Sequence, residues 1–110
     1  MALKTSVNLK DDEFIVLSYY GDMKPHTLFA QFHLIKMVYR KMTHKKFIKI
    51  TRRFFMNGIL TSYGDDYFKI RLSNRKHILT KKGDELLREA SIYRGGDYNY
   101  YKNFARREAK

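Results

Sequence analysis

Thr43-His-Lys-Lys-Phe-Ile-Lys-Ile-Thr-Arg-Arg-Phe-Phe-Met56 is the stretch on which the fold turns. At about 100° of rotation per residue, Phe47, Ile48, Ile50, Thr51, Phe54 and Phe55 fall in one arc, while Lys45, Lys46, Lys49, Arg52 and Arg53 fill the other. Met56 alone breaks the sorting, at the end of the run. The pattern predicts a helix from about Thr43 to Asn57, with Thr43 as N-cap and Gly58 as stop signal. One side of that helix belongs to a core, and the other carries charge of a single sign.

Upstream, no acidic residue occurs between Met23 and Gly64, whereas nine lysines and arginines do. Neither Gly nor Pro interrupts His26–Asn57, so one long helix has to be weighed. Its apolar phase argues against it: the stripe Leu28, Phe32, Ile35, Tyr39 and the stripe Phe47, Ile50, Thr51, Phe54 point in different directions. A break near Met42 resolves the mismatch and leaves a second helix that begins after Thr27. Before it, Asp11-Asp12-Glu13 supplies the negative charge that a helix N-terminus favours, ahead of the apolar Phe14, Ile15 and Leu17. A first helix is expected from about Lys10 to Tyr20, ended by Gly21, with a loop through Pro25.

Downstream the pattern changes. Ile59–Tyr63, a Gly64-Asp65-Asp66 turn, and Tyr67–Leu72 with alternation at Phe68, Ile70 and Leu72 read as a hairpin. Asn74-Arg75-Lys76 forms a further turn, and His77–Leu79 can close a third strand. A fourth helix starts at Thr80 and returns Leu86, Leu87 and Ala90 to the core; Gly95-Gly96 ends it. Asp97–Lys110 is an aromatic and basic tail holding Tyr98, Tyr100, Tyr101 and Phe104. The division is a domain over residues 1–94 and a tail over 95–110.

With 110 residues the chain is one domain, without room for a separate sensor. Hydrophobic content of 44%, with eight Phe and nine Tyr, supports a packed interior. A net charge of +12 and a pI near 10.0 speak about partners, nucleic acid first and anionic membrane second. No cysteine is present, which excludes disulfides and thiolate metal sites. The acidic cluster lies where a signal peptide needs its apolar core, and no apolar run is long enough to span a bilayer. A soluble, cytoplasmic protein without a membrane partner is expected, nucleoid-associated or, if viral, in the host cytoplasm.

The order helix, helix, basic helix, hairpin, helix resembles a winged helix-turn-helix domain. Asn57-Gly-Ile-Leu60, followed by Ile78-Leu-Thr-Lys-Lys-Gly-Asp-Glu-Leu-Leu87, is similar to the G-L-I … L-T-x-x-G-x-x-L frame of MarR-like and PadR-like winged-helix regulators. The likeness covers about residues 10–90, and the size and composition suit a short phage, viral or plasmid member. It departs from those families at Tyr39-Arg-Lys-Met42, which lacks their small residue, and in having no long dimerisation helices. The resemblance implies an α+β, mainly α fold: a three-helix core, a β-hairpin wing within Ile59–Leu79 and a C-terminal helix, with Thr43–Met56 as recognition helix.

On that geometry His44, Lys45, Lys46 and Lys49, early in the helix, are candidates for base edges, and Arg52 and Arg53 for phosphates. Arg71, Arg75 and Lys76 belong to the wing, whose tip is assigned to Asn74–Lys76 because Gly64-Asp65-Asp66 would be repelled by phosphate. If about eight of these cations neutralise phosphates, log affinity falls against log salt with a slope near −7. The first helical turn lacks Asn, Gln and Arg, so base discrimination is expected to be modest.

The functions weighed are a DNA-binding transcriptional regulator acting as a homodimer on double-stranded DNA, a low-specificity accessory protein of replication, plasmid transfer or packaging, and an RNA-binding or ribosome-associated module. Leu3, Val7, the first helix and the aromatic tail are all candidates for a dimer contact. The four histidines show no metal-ligand spacing. No nucleophile–base pair, phosphate-cradling glycine loop or paired-carboxylate signature points to an enzyme, a cofactor or a small-molecule effector.

Overall fold

The computed structural model describes residues 9–64, 71 and 74–93. In chain order the elements are α1 (Asp11–Ser18), β1 (His26–Thr27), α2 (Leu28–Val38), α3 (His44–Met56), β2 (Leu60–Tyr63), β3 (Lys76–Leu79) and α4 (Lys81–Tyr93). The described chain is therefore α+β and mainly helical, with a three-stranded antiparallel sheet in the order β1-β3-β2.

α1 starts where its acids predict. The Lys10 backbone N–H donates to Glu13 Oε1 at 2.9 Å, which satisfies a donor that the helix start leaves open. The helix ends at Ser18 rather than Tyr20, because the chain tightens: Tyr20 N–H donates to Leu17 O and Gly21 N–H to Ser18 O, each at 3.1 Å. From Phe14 to Leu17 every side chain is fully buried. The run has no polar face because α1 packs against both α3 and α4.

The break in the long Gly- and Pro-free stretch falls where the apolar phase requires it. α2 stops at Val38, and Thr43 caps α3 by accepting from Lys46 N–H at 3.1 Å. The Lys36 ammonium closes the turn between them, donating to Arg40 O at 2.9 Å and Met42 O at 2.7 Å. α2 is rotated slightly from its expected stripe. Leu28, Gln31 and Ile35 are buried, while Phe32 and Tyr39 are only half-buried. Gln31 turns inward because its amide donates to Tyr19 O, and Phe32 sits at the helix edge with its ring 5.6 Å from that of Phe47.

In α3 the core side is Phe47, Ile50, Thr51 and Phe54. The buried Thr51 hydroxyl is satisfied by Phe47 O at 3.0 Å. Ile48 and Phe55 flank this arc, half-buried and exposed respectively.

The sheet differs from expectation in two respects. β2 pairs directly with β3, Leu60 opposite Leu79 and Tyr63 opposite Lys76, so the segment expected as a closing strand is the central one. Its other side is covered by β1, where a loop and an N-cap are expected from sequence; His26 lies opposite His77 and Thr27 opposite Lys76. Gly64 and Arg71 apart, the turn at Asp65-Asp66 and the strand expected over Tyr67–Leu72 lie outside the described residues. So do Leu3, Val7, Gly95-Gly96 and the tail.

Thr80 joins the sheet to α4. Its N–H donates to Ile59 O at 3.0 Å, its hydroxyl is 2.6 Å from Gly58 O, and the same hydroxyl accepts from Gly83 N–H at 3.0 Å. Leu86, Leu87 and Ala90 are buried as expected.

At the sheet centre, His77 is 4% exposed, with its ring 5.5 Å from that of Phe55. Burial, reinforced by the Arg75 charge, lowers its pKa from 6.5 to about 4. The unfolded chain then binds the proton more readily, so stability is complete above about pH 6.5 and is lost as pH falls toward 4. The loss is at most about 3 kcal/mol. Thermal unfolding of the wild type is expected to fall more steeply than that of His77→Gln between pH 7 and 4.5; parallel curves would refute the assignment.

Candidate nucleic-acid interface

Because α3 is pinned to the core through Phe47, Ile50 and Phe54, its opposite face is fixed toward solvent. Lys45, Lys49 and Arg52 occupy the middle of that face and are exposed. Among the described residues none of the three is in an ion pair.

The two cations at the edge of the arc behave differently, because that edge faces the first turn of α1. Arg53 Nη1 lies 3.0 Å from Glu13 Oε2, with side chains 34% and 4% exposed, and Lys46 Nζ lies 3.5 Å from Asp12 Oδ2. Arg53 thus compensates a buried carboxylate. Its removal is therefore expected to lower thermal stability as well as the charge of the α3 surface. His44 stands on the Thr51 side of α3 by helical phase, its ring edge-on to Phe32 at 5.2 Å, although it is exposed.

Between the first turns of α1 and α3 opens a cleft of about 350 Å³. Its walls carry Lys10, Lys45, Lys46, Lys49 and Arg53 against Asp12 and Glu13. Lys10 was missed by the sequence reading. It stands before an acidic cluster in sequence, and only the packing of α1 on α3 brings it to the basic helix.

The cations downstream of α3 are arranged by the sheet. Lys76 begins the central strand, between Thr27 and Tyr63, and Arg75 O accepts from Leu28 N–H at 3.3 Å. Both are tied to the α2 end of the sheet, and of the tip expected at Asn74–Lys76 only Lys76 is part of a paired strand, Asn74 and Arg75 preceding it. Asn74 N–H donates to Arg71 O at 2.9 Å, and Arg71 is exposed. Three residues of β2 separate the Tyr63–Lys76 end from the α3 end, roughly 10 Å.

Among the described residues no group of three or more His, Asp or Glu is placed to hold a metal ion, and no helix is long and apolar enough to cross a membrane. No protein-family model, curated protein or solved structure matches the chain.

Proposed function

We propose that the chain is a DNA-binding protein of winged-helix type that lays α3 in the major groove of double-stranded DNA. The observation that carries this reading is the solvent face of α3: Lys45, Lys49 and Arg52 are exposed, without acidic partners among the described residues, on a helix held rigidly from behind. A helix of about 10–12 Å diameter fits a groove about 12 Å wide. The element order supports the same reading, with α2 and α3 joined by a short turn and the paired β2 and β3 following directly. Lys45 and Lys49, nearer the start of α3, meet base edges or the phosphates that flank them, Arg52 meets phosphate, and Arg71, Arg75 and Lys76 lie toward the adjacent backbone or minor groove. The biological role is that of a transcriptional regulator, and two copies of the chain pair on two half-sites.

Selection of bound fragments from random duplex DNA tests the reading. A recurring palindromic motif is the expected result. Recovery of all sequences alike would leave DNA binding in place but favour the accessory role in replication, transfer or packaging, which the lysine-rich first turns of α3 also suit. Preference for RNA at fixed salt would refute the duplex reading. Lys49→Ala and Arg52→Ala are each expected to make the slope of log affinity against log salt shallower by about 0.9 without changing thermal unfolding. Unchanged affinity in both would remove α3 from the interface.

A further inference from the structure

The cleft between α1 and α3 carries more positive charge than its own acids neutralise. Of its five cations, Arg53 is matched to Glu13 at 3.0 Å and Lys46 to Asp12 at 3.5 Å. Lys10, Lys45 and Lys49 are left as a surplus of three, with no ion pair among the described residues. Two helices also begin at the cleft, α1 after Lys10 and α3 after Thr43, so their partly positive ends add to the same field. At about 350 Å³ the cleft has room for a tetrahedral oxyanion with part of its hydration shell. Three lysines lining one cleft favour a multiply charged anion over a single carboxylate, and lysine is a common phosphate binder.

We propose that this cleft is a seat for a phosphate group, held by Lys10, Lys45 and Lys49, and that Asp12 is its built-in competitor. The two acid pairs differ in the way this requires. Glu13–Arg53 is the shorter pair, with its carboxylate buried, and stays closed. Lys46–Asp12 is longer, and the Lys46 side chain is 42% exposed, so Lys46 can leave Asp12 for an arriving phosphate. Assigning the phosphate to a DNA backbone rests on the function proposed above; the seat itself does not.

Lys10→Gln and Asp12→Asn test it, since both spare the Glu13–Arg53 pair and the Lys10 N–H bond. On duplex DNA, Lys10→Gln is expected to reduce the salt slope by about 0.9, which is up to roughly eightfold in affinity at 0.1 M relative to 1 M salt. Asp12→Asn is expected to raise affinity roughly two- to fivefold. In a second arm, inorganic pyrophosphate is titrated into the wild type while amide shifts of residues 10–13 and 43–46 are followed. Saturable shifts there, lost in Lys10→Gln, support the seat even if no variant or wild type binds DNA, and then assign it to a free phosphate ligand. Effects of both substitutions on DNA affinity without pyrophosphate shifts assign it to the nucleic-acid backbone. Wild-type DNA binding in both variants, together with no saturable shift, overturns the proposal; if Arg52→Ala still weakens DNA binding in that case, the DNA reading survives without it.

Discussion

Replacing Gly83 by alanine is expected to destabilise the protein by about 3 kcal/mol, lowering the melting temperature of a domain this size by roughly 10–25 °C. A Cβ at this position would lie 2.3 Å from Ile59 O and 2.7 Å from Leu79 Cδ1. The leucine could adjust, but the carbonyl could not, since it already accepts the Thr80 N–H and pins the sheet to the start of α4. α4 would have to move away from Ile59 and β3, taking Leu86, Leu87 and Ala90 out of register with the core. Local propensity works the other way, because alanine is favoured over glycine in a helix by about 1 kcal/mol. The sign of the measurement therefore decides between a close-packing role for this glycine and none. Gly58→Ala is the control. Nothing lies within 4 Å of the point where its Cβ would stand, and only its φ of +73° is strained, so about 1 kcal/mol is expected. An unchanged or raised melting temperature in Gly83→Ala would show that α4 does not approach Ile59 this closely.

Arg53→Ala is expected to cost about 3 kcal/mol. This is the lower end for a broken buried pair, because Arg53 is itself one-third exposed and partly screened. Glu13 is the cause. Its side chain is 4% exposed, and although Lys10 N–H still satisfies one oxygen, the carboxylate loses the Arg53 charge in a site walled by α1 and α3. Because the cost comes from a buried charge that has lost the Arg53 guanidinium, the double variant Glu13→Gln, Arg53→Met should recover at least half of the loss in denaturant unfolding. A single variant that unfolds like wild type yet binds DNA more weakly would show Arg53 to be a free phosphate contact, as its place in the basic arc first suggested. The contrast with Arg52→Ala matters, since adjacent arginines on one helix are predicted to separate stability from binding.

Both effects come from partners remote in sequence, whereas features set by neighbouring residues were legible in the sequence. The break before Thr43 was legible because helical phase is local: a run of residues either keeps one buried face or does not. The cap at Thr43, the start of α1 at its acids and the return of Leu86, Leu87 and Ala90 were legible for the same reason. The central place of His77–Leu79, β1 and the inward turn of Gln31 were not, because each depends on a partner remote in sequence. Gly83 stood out only as part of a resemblance; its physical reason is a carbonyl twenty-four residues away.

The sequence by itself determined that Thr43–Met56 is a helix with an apolar and a basic side, since periodicity needs no knowledge of the rest of the chain. Tertiary structure decided which of its cations remain available. Packing α1 across one edge of α3 brings Glu13 to Arg53 and Asp12 to Lys46, leaving Lys45, Lys49 and Arg52 to solvent and adding Lys10 from α1. Charge pairing acts over a few ångströms in space and is blind to separation along the chain, so forty residues of sequence between Glu13 and Arg53 concealed it.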